Sequence, residues 1–432
     1  MGISNIIFLL LFIGAFTLFA LKIKTIVRNI RLGRDQNLND NFAERLKVMS
    51  LVAIGQSKMV VRPVAGIMHI LIYIGFVIMN IELLEIVIDG ITGTHRVFAF
   101  LGGFYNFVIG SFEFLGLGVL IACIVFLIRR NVLKLKRFWS AEMTSWPRSD
   151  ANLILTIEIL LMTAFFTMNA TDQVLQSRGV EHYVQAGWYP FSQYYSALFT
   201  GLSSETLIMI ERSVWWFHIC GILFFLNYVP YSKHFHILLA FPNVFYSNLN
   251  AKGKFSNMES VTNEVKLMFD SSATPPPADA APVKFGAKDV NDLSWIQLMN
   301  AYSCTECGRC TSNCPANITG KKLSPRKIMM DTRDRLEEYG KNLDKNTPDT
   351  KSLLHDYITP EELWACTSCN ACVEACPVNI DPLSIIVDLR RNLVMEESNA
   401  PAALAGMFTN VENNGAPWQF AQADRLNWAN EG

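Results

Sequence analysis

Five apolar stretches constrain the fold of this chain more than any other feature: Ile6–Leu21, Val64–Ile88, Phe107–Ile128, Leu153–Ala170 and Val214–Tyr231. A hydrocarbon core about 30 Å thick is crossed by about 20 apolar residues of helix. Inside it, only helices and closed barrels satisfy every backbone amide. The stretches therefore predict five membrane-spanning helices. The first sits where a secretory signal would, but it has no basic start and no small-residue cleavage site, so it reads as a retained span. Only 17% of the 432 residues are charged and the net charge is −1. Soluble domains carry about 25% charged residues, and a chain so nearly neutral is not expected to bind nucleic acid.

The loops set the orientation, because Lys and Arg accumulate on the cytoplasmic side. The loops between spans one and two and between spans three and four hold fifteen basic residues, from Lys22 to Arg62 and from Arg129 to Arg148. The opposite loops hold three: Arg96, Arg178 and Arg212. The N-terminus is then outside, and five crossings leave the C-terminal half inside. The expected setting is a bacterial inner membrane.

Beyond span five the composition changes. The Pro- and Ala-rich segment Ser271–Gly286 reads as a linker or extended arm. The expected organisation is a membrane domain over 1–240, a linker over 241–288, a cysteine-bearing domain over 289–399 and a polar tail over 400–432. The fold class is an all-α membrane domain of five helices joined to a mainly α cytoplasmic domain with a two-cluster ferredoxin-like core.

Eight of the ten cysteines fall into two copies of C-x-x-C-x-x-C-x-x-x-C-P. Three thiolates in one such run wrap three corners of an iron–sulfur cube, while the fourth points to the other cluster. The expected wiring crosses over. Cys304, Cys307, Cys310 and Cys376 hold one 4Fe–4S cluster; Cys366, Cys369, Cys372 and Cys314 hold the second. Zinc sites use separated C-x-x-C halves, and disulfides are disfavoured on the cytosolic side. Pro315 and Pro377 fix the turns where the chain leaves each cluster. Cys123 and Cys220, in apolar runs, read as packing residues. Between the motifs, "SPRKIMMDTRDRLEEYG" reads as a helix opened by Ser324 and Pro325 and closed by Gly340, either structural or a docking face.

One-electron carriers on a membrane domain call for an embedded partner, and histidine-ligated haem is the obvious supply. An ionisable residue inside a span is costly and marks function by default. His69, a turn and a half into span two, and His236, at the inner end of span five, share a depth that suits one haem b. His218 lies nearer the outer end of span five. It is eighteen residues from His236, about 27 Å if helical, and so implies a second site, for which His95 is the available partner. One of His234 and His236 reads as a capping or snorkelling residue, and His182 and His355 as surface residues. Glu158, in span four, is a proton source for quinone reduction or a hydrogen-bonding tie between helices. No G-x-G-x-x-G unit signals hydride chemistry.

The five spans with His in spans two and five resemble the membrane cytochrome b subunit of respiratory nitrate reductase. That pattern has a second His ten residues after the first; Met79 stands there in this chain. The run "VPYSKHFHI", followed by a linker and the two cysteine motifs, is similar to membrane iron–sulfur proteins related to heterodisulfide reductase, including electron-transfer-flavoprotein:menaquinone oxidoreductases. The resemblance implies a subunit of a membrane quinone oxidoreductase. Electrons would pass from a cytoplasmic donor through two 4Fe–4S clusters and one or two haems b to menaquinone or another quinone. Flow in the opposite direction, or a part in a heterodisulfide-reductase-like or lactate or glycerol-phosphate dehydrogenase complex, stays open. Such proteins continue from a segment like Asn410–Trp428 into cysteine-rich C-C-G domains. The resemblance therefore implies a separate C-C-G-type subunit as partner, fed by a soluble dehydrogenase or electron-transfer flavoprotein and docked on the tail.

Overall fold

The structure is a computed structural model that describes residues 2–38, 40–270, 272, 274–275, 277 and 284–431. Among these residues it is helical throughout, with two isolated β-bridges and no strand. Five helices are long and apolar enough to cross a membrane: α1 (Ile3–Ile30), α2 (Pro63–Thr92), α3 (Gly103–Leu127), α4 (Ser145–Ser177) and α5 (Ser204–Tyr228). Each begins before its apolar window; α1, α2 and α4 also run past the window's end, whereas α3 and α5 stop one and three residues short of it. Pro63 opens α2 with its φ already set. Ser203 caps α5 by accepting from the Thr206 amide at 3.2 Å. Gly93, at φ +81°, closes α2 in the left-handed conformation.

The helices lie against one another on small residues and lipid-facing apolar ones. Leu10, Leu18, Phe76 and Phe224 point outward, as expected where lipid replaces water. Phe8 of α1 sits on Gly90 of α2 so closely that a Cβ there would lie 2.7 Å from its ring. Asn5 Nδ2 donates to the Gly90 carbonyl at 2.8 Å beside it. Cys123 is buried in the bundle and Cys220 is exposed on its flank, which fits packing roles for both.

The boundary expected at residue 240 falls inside a helix, α6 (His236–Phe245), and a further helix covers Glu259–Phe269. The Pro/Ala arm lies largely outside the described residues. The cysteine domain contains α7 (Trp295–Ser303), α8 (Pro325–Lys345) and α9 (Pro382–Met395) around one apolar core built on Leu298, Ile328, Leu336, Ile385 and Leu389. Ser324 caps α8 as expected. Gly340 does not end it; the helix runs on to Lys345 and closes on Asn346 at φ 47°. Gly340 serves a close approach instead: a Cβ there would lie 2.5 Å from Asn29 Oδ1 of α1.

That approach belongs to a seam joining α8 to the inner end of α1. Arg28 holds Asp344 through two bonds of 2.6 and 2.8 Å. Lys22 pairs with Glu337 at 3.3 Å, and Asn29 Nδ2 donates to the Tyr302 hydroxyl at 2.9 Å. The cysteine domain is thereby joined to the C-terminal end of α1. In the tail, Ala402–Asn414 is helical, and Trp418 and Trp428 are exposed.

Candidate electron-transfer centres

The two cysteine motifs adopt the same backbone. Glu306 and Ser368, each the second residue after its motif's first cysteine, stand at φ 54° and 56°. Gly308 and Asn370, each following the second cysteine, stand at 70° and 60°. Gly308 also has no room for a side chain, since a Cβ would lie 2.6 Å from Arg326 Nη1. Left-handed turns of this kind aim consecutive amides inward and make anion-binding nests that suit iron–sulfur sites. Two amides reach sulfur directly: Ser368 N to Cys366 Sγ at 3.4 Å and Ile380 N to Cys376 Sγ at 3.3 Å.

Cys304, Cys307 and Cys310 line one small cavity, about 20 Å3, together with Cys376 from the second motif. Cys372 reaches the same cavity, which places the two motifs side by side. Burial pushes the Cys304 thiol up to about 12 and the Cys376 thiol up to about 11. Burial also raises Cys366, and its neighbours Cys314 and Cys369 add to the effect. Such thiols stay protonated unless a cation draws the thiolate out, so the donor set fits a highly charged metal centre. Among the described residues no group of His, Cys, Asp or Glu closes around a single ion. A cube of iron and sulfide holds its four thiolates wider apart than a lone ion does.

The basic inner loops clasp this region. Arg309, between the second and third cysteines, donates to the carbonyls of Lys58 and Met59 at 3.1–3.3 Å. Lys58 Nζ returns bonds to Val373 O at 3.1 Å and Asn379 Oδ1 at 2.9 Å in the second motif. Arg62 donates to Ser312 at 2.6 Å. Arg326, fully buried, donates to Arg137 O and to Glu142, both at 2.6 Å. Lys233, in the segment after α5, pairs with Glu306 and donates to Pro147 O at 2.6 Å. None of these roles was legible in the sequence. The one available signal was position, since Glu306 and Arg309 occupy variable places inside the first motif.

His69 and His236 come together, with ring centroids 6.3 Å apart and planes tilted 44°. Metal–imidazole nitrogen bonds run about 2 Å, so rings at this separation could hold one metal centre between them. His236 Nδ1 meets Lys233 O at 3.2 Å, which leaves Nε2 free, the arrangement that orients a ligating ring. His69 Nδ1 is buried with no hydrogen-bond partner. His234 stacks edge-on against His236 at 5.4 Å and also meets Phe225.

His218 is also held, its Nδ1 3.1 Å from Leu161 O, but it lies deeper than expected. Because α5 starts at Ser204, His218 falls past the middle of that helix. Moreover, α5 stops at Tyr228, two short 3₁₀ turns follow, and His236 opens a separate helix. The continuous 27 Å of helix expected between the two histidines is therefore broken. His95 has neighbours other than His218. Its Nε2 lies within ion-pair distance of Asp172 Oδ1, at 3.2 Å, and its Nδ1 accepts from Val184 N at 3.3 Å. Its ring neighbours are His182 and Tyr183. Exposed His182 and His355 match the surface reading; His355 meets Glu397 at 2.7 Å. Glu158 is half-buried near Cys123 and lines none of the three principal cavities.

Comparison with known proteins points to an iron–sulfur domain in the same segment. A 4Fe–4S dicluster domain model matches residues 303–380. The probable iron-sulfur-binding oxidoreductase FadF of Bacillus subtilis is 28% identical over 99% of this chain and 61% of its own length. The EtfAB:quinone oxidoreductase of Syntrophomonas wolfei is 29% identical over 91% of this chain and 55% of its own. One polypeptide of the dihydromethanophenazine:CoB–CoM heterodisulfide reductase of Methanosarcina acetivorans is 31% identical over 32% of this chain and 35% of its own. The chain thus spans 55–61% of the length of the first two relatives. No solved structure matches it.

Proposed function

We propose that this chain, which resembles iron–sulfur oxidoreductases of the EtfAB:quinone and heterodisulfide-reductase-related kind, carries electrons between a soluble donor at the inner membrane face and a quinone in the bilayer. In this reading two 4Fe–4S clusters and at least one haem b supply one-electron chemistry when bound. Cys304, Cys307, Cys310 and Cys376 hold the inner cluster, and Cys366, Cys369, Cys372 and Cys314 the outer one. His69 and His236 hold the haem.

One observation carries the proposal: the clasp between the first motif and the entry to α2. Arg309 lines the first cysteine cavity and bonds to Lys58 and Met59, eleven and ten residues before His69. The cluster centred there is therefore the one next to the haem. Cys369 of the second group is exposed, which suits the end that meets a soluble donor. Electrons would then enter by the second cysteine group and leave by the first toward the histidine pair, or travel the same way in reverse.

The partner side of the proposal leans on the relatives. Their names support a flavoprotein donor and a cysteine-rich subunit, with the exposed Trp418 and Trp428 as docking anchors. The basic inner loops support a cytoplasmic cysteine domain in a bacterium, with the N-terminus outside. The test is a pyridine-haemochrome spectrum with iron quantitation on the purified chain, then anaerobic titration with a soluble reductant. Eight irons beyond haem, and haem reduced only while the clusters are intact, are the expected results. A chain with no haem would overturn this reading.

A further inference from the structure

At the opposite end of the bundle lies a second constellation that this electron path has not used. The outer ends of α1, α2, α4 and α5 enclose a cavity of about 320 Å3, within the size range of small-molecule sites. Its polar wall is rich in carboxylates, and nearly all of them are committed. Glu85 accepts from Tyr105 at 2.7 Å and from Phe98 N at 2.9 Å. Asp172 accepts from Arg96 Nε at 2.8 Å. Asp89 accepts from Thr94 at 2.6 Å and from Arg96 N at 2.8 Å. Glu211 is held by Arg212 and by Tyr183, the latter at 3.0 Å. Glu82 is the exception. It lines the cavity, is only 5% exposed, and has no hydrogen bond or ion pair among the described residues. A carboxyl left without partners at that depth is expensive, and the position calls for a ligand.

The rest of the wall says which kind. Phe8, Ile86, Met168, Trp215 and Trp216 form its apolar side. Exposed Ser4 and Thr94 form part of its rim. A flat ring with polar oxygens and an apolar body satisfies both sides at once. We propose that this cavity binds the head group of a quinone, with Glu82 hydrogen-bonded to one ring oxygen. The inference rests on the electron-carrier reading above and adds the place where the carrier meets its quinone. Trp215 lies three residues from His218, on the same face of α5, so the cavity lies beside the second buried histidine of that helix.

Reduction of the ring to the quinol takes two electrons, arriving one at a time from the centres proposed above, and two protons. Glu82 gives one proton to the oxygen it bonds and is reprotonated from the outer aqueous phase through the rim. The second oxygen takes its proton from water at the same opening. The inner cleft bordered by Trp146 and Tyr231 is the rival location. At about 1180 Å3, and lined by Lys22, Lys327, Lys341, Glu337 and Asp331, it has the character of a hydrated crevice.

The test uses the full chain in lipid nanodiscs and a photoreactive azido-naphthoquinone, with peptide mapping of the label and menadione as competitor. Saturable label on the peptides holding Phe8 or Trp215 and Trp216 is expected. Met168→Trp, which fills the cavity, should abolish that label. Glu82→Leu, which cannot donate a hydrogen bond, should weaken menadione binding roughly tenfold, as loss of a buried hydrogen bond does, while the iron–sulfur and haem spectra stay unchanged. Label on the peptides of Trp146 or Tyr231, no saturable label, or unaltered binding in both variants would each overturn the site. Normal labelling without any electron transfer to quinone would instead overturn the electron-carrier reading and leave the site standing.

Discussion

Lys233 and Glu306 form an ion pair across the seam between the membrane helices and the first cysteine motif, with side chains only 10% and 3% exposed. Arg333 reaches the same carboxylate at 3.0 Å. Lys233 is three residues before His236, and Glu306 lies between Cys304 and Cys307. The pair thereby ties a proposed haem ligand to a proposed cluster loop. Burial alone would raise the Glu306 carboxyl, but Lys233 and Arg333 outweigh it and hold it below its usual value.

Lys233→Met should therefore loosen the seam without unfolding either part, because Arg333 still neutralises Glu306. The expected cost is about 1–3 kcal/mol, that of leaving buried polar groups under-satisfied. Hydrogen-exchange mass spectrometry should find faster exchange in the 304–310 loop and at the start of α6, with the outer ends of the spans unchanged.

Crossed wiring makes a sharp spectroscopic prediction. Cys314→Ala should damage the cluster held by Cys366, Cys369 and Cys372 and leave the one held by Cys304, Cys307 and Cys310 with its electron paramagnetic resonance signal. Cys376→Ala should do the reverse. Loss of the wrong signal in either variant would refute the crossover.

For the histidines, His69→Ala and His236→Ala should abolish the same low-spin haem signal, each without loss of the clusters. His218→Ala should spare that signal, since His218 makes no ring contact with either residue. An unchanged spectrum in the first two variants would remove this pair as ligands.

Gly340→Ala tests the contact between α8 and α1. A methyl group meets Asn29 at 2.5 Å, and overpacking of this kind costs about 1–3 kcal/mol. Asn29→Ala loses its own bond to Tyr302 but makes room. The double variant should thus be more stable than the sum of the single losses, a coupling that a thermal-denaturation cycle measures.

The pH dependence of α8 follows from Asp331. Burial raises its carboxyl to about 6, against the pull of Lys327. An acid raised in the folded state stabilises the fold fully below its unfolded value of about 3.9, and that stabilisation is lost as pH rises toward the folded value. Local stability of α8 should fall by about 1–2 kcal/mol over that window, and Asp331→Asn should flatten the slope. Exchange rates of the α8 amides, corrected for intrinsic rates at each pH, would check this.

Much of this was set by local chemistry and could be read from the chain. Five apolar runs must be five helices, since lipid offers the backbone no other partner. The cysteine spacing led to an iron–sulfur domain, which the match over residues 303–380 supports. His69 and His236 were paired by depth alone and do lie together. Where the sequence misled, the cause was tertiary. Gly340 looked like a stop signal but is the gap through which Asn29 packs. His95 looked like a spare ligand, and the fold sets it beside Asp172 and the Val184 amide, 77 and 89 residues away. The unpartnered state of Glu82 is likewise a property of the assembled bundle, because only the fold shows which neighbouring carboxylates are satisfied and which one is left facing a cavity. Periodicity and motif spacing follow from interactions a few residues long. Close approach and the satisfaction of buried charge depend on residues brought together from distant parts of the chain, and these only the tertiary structure decided.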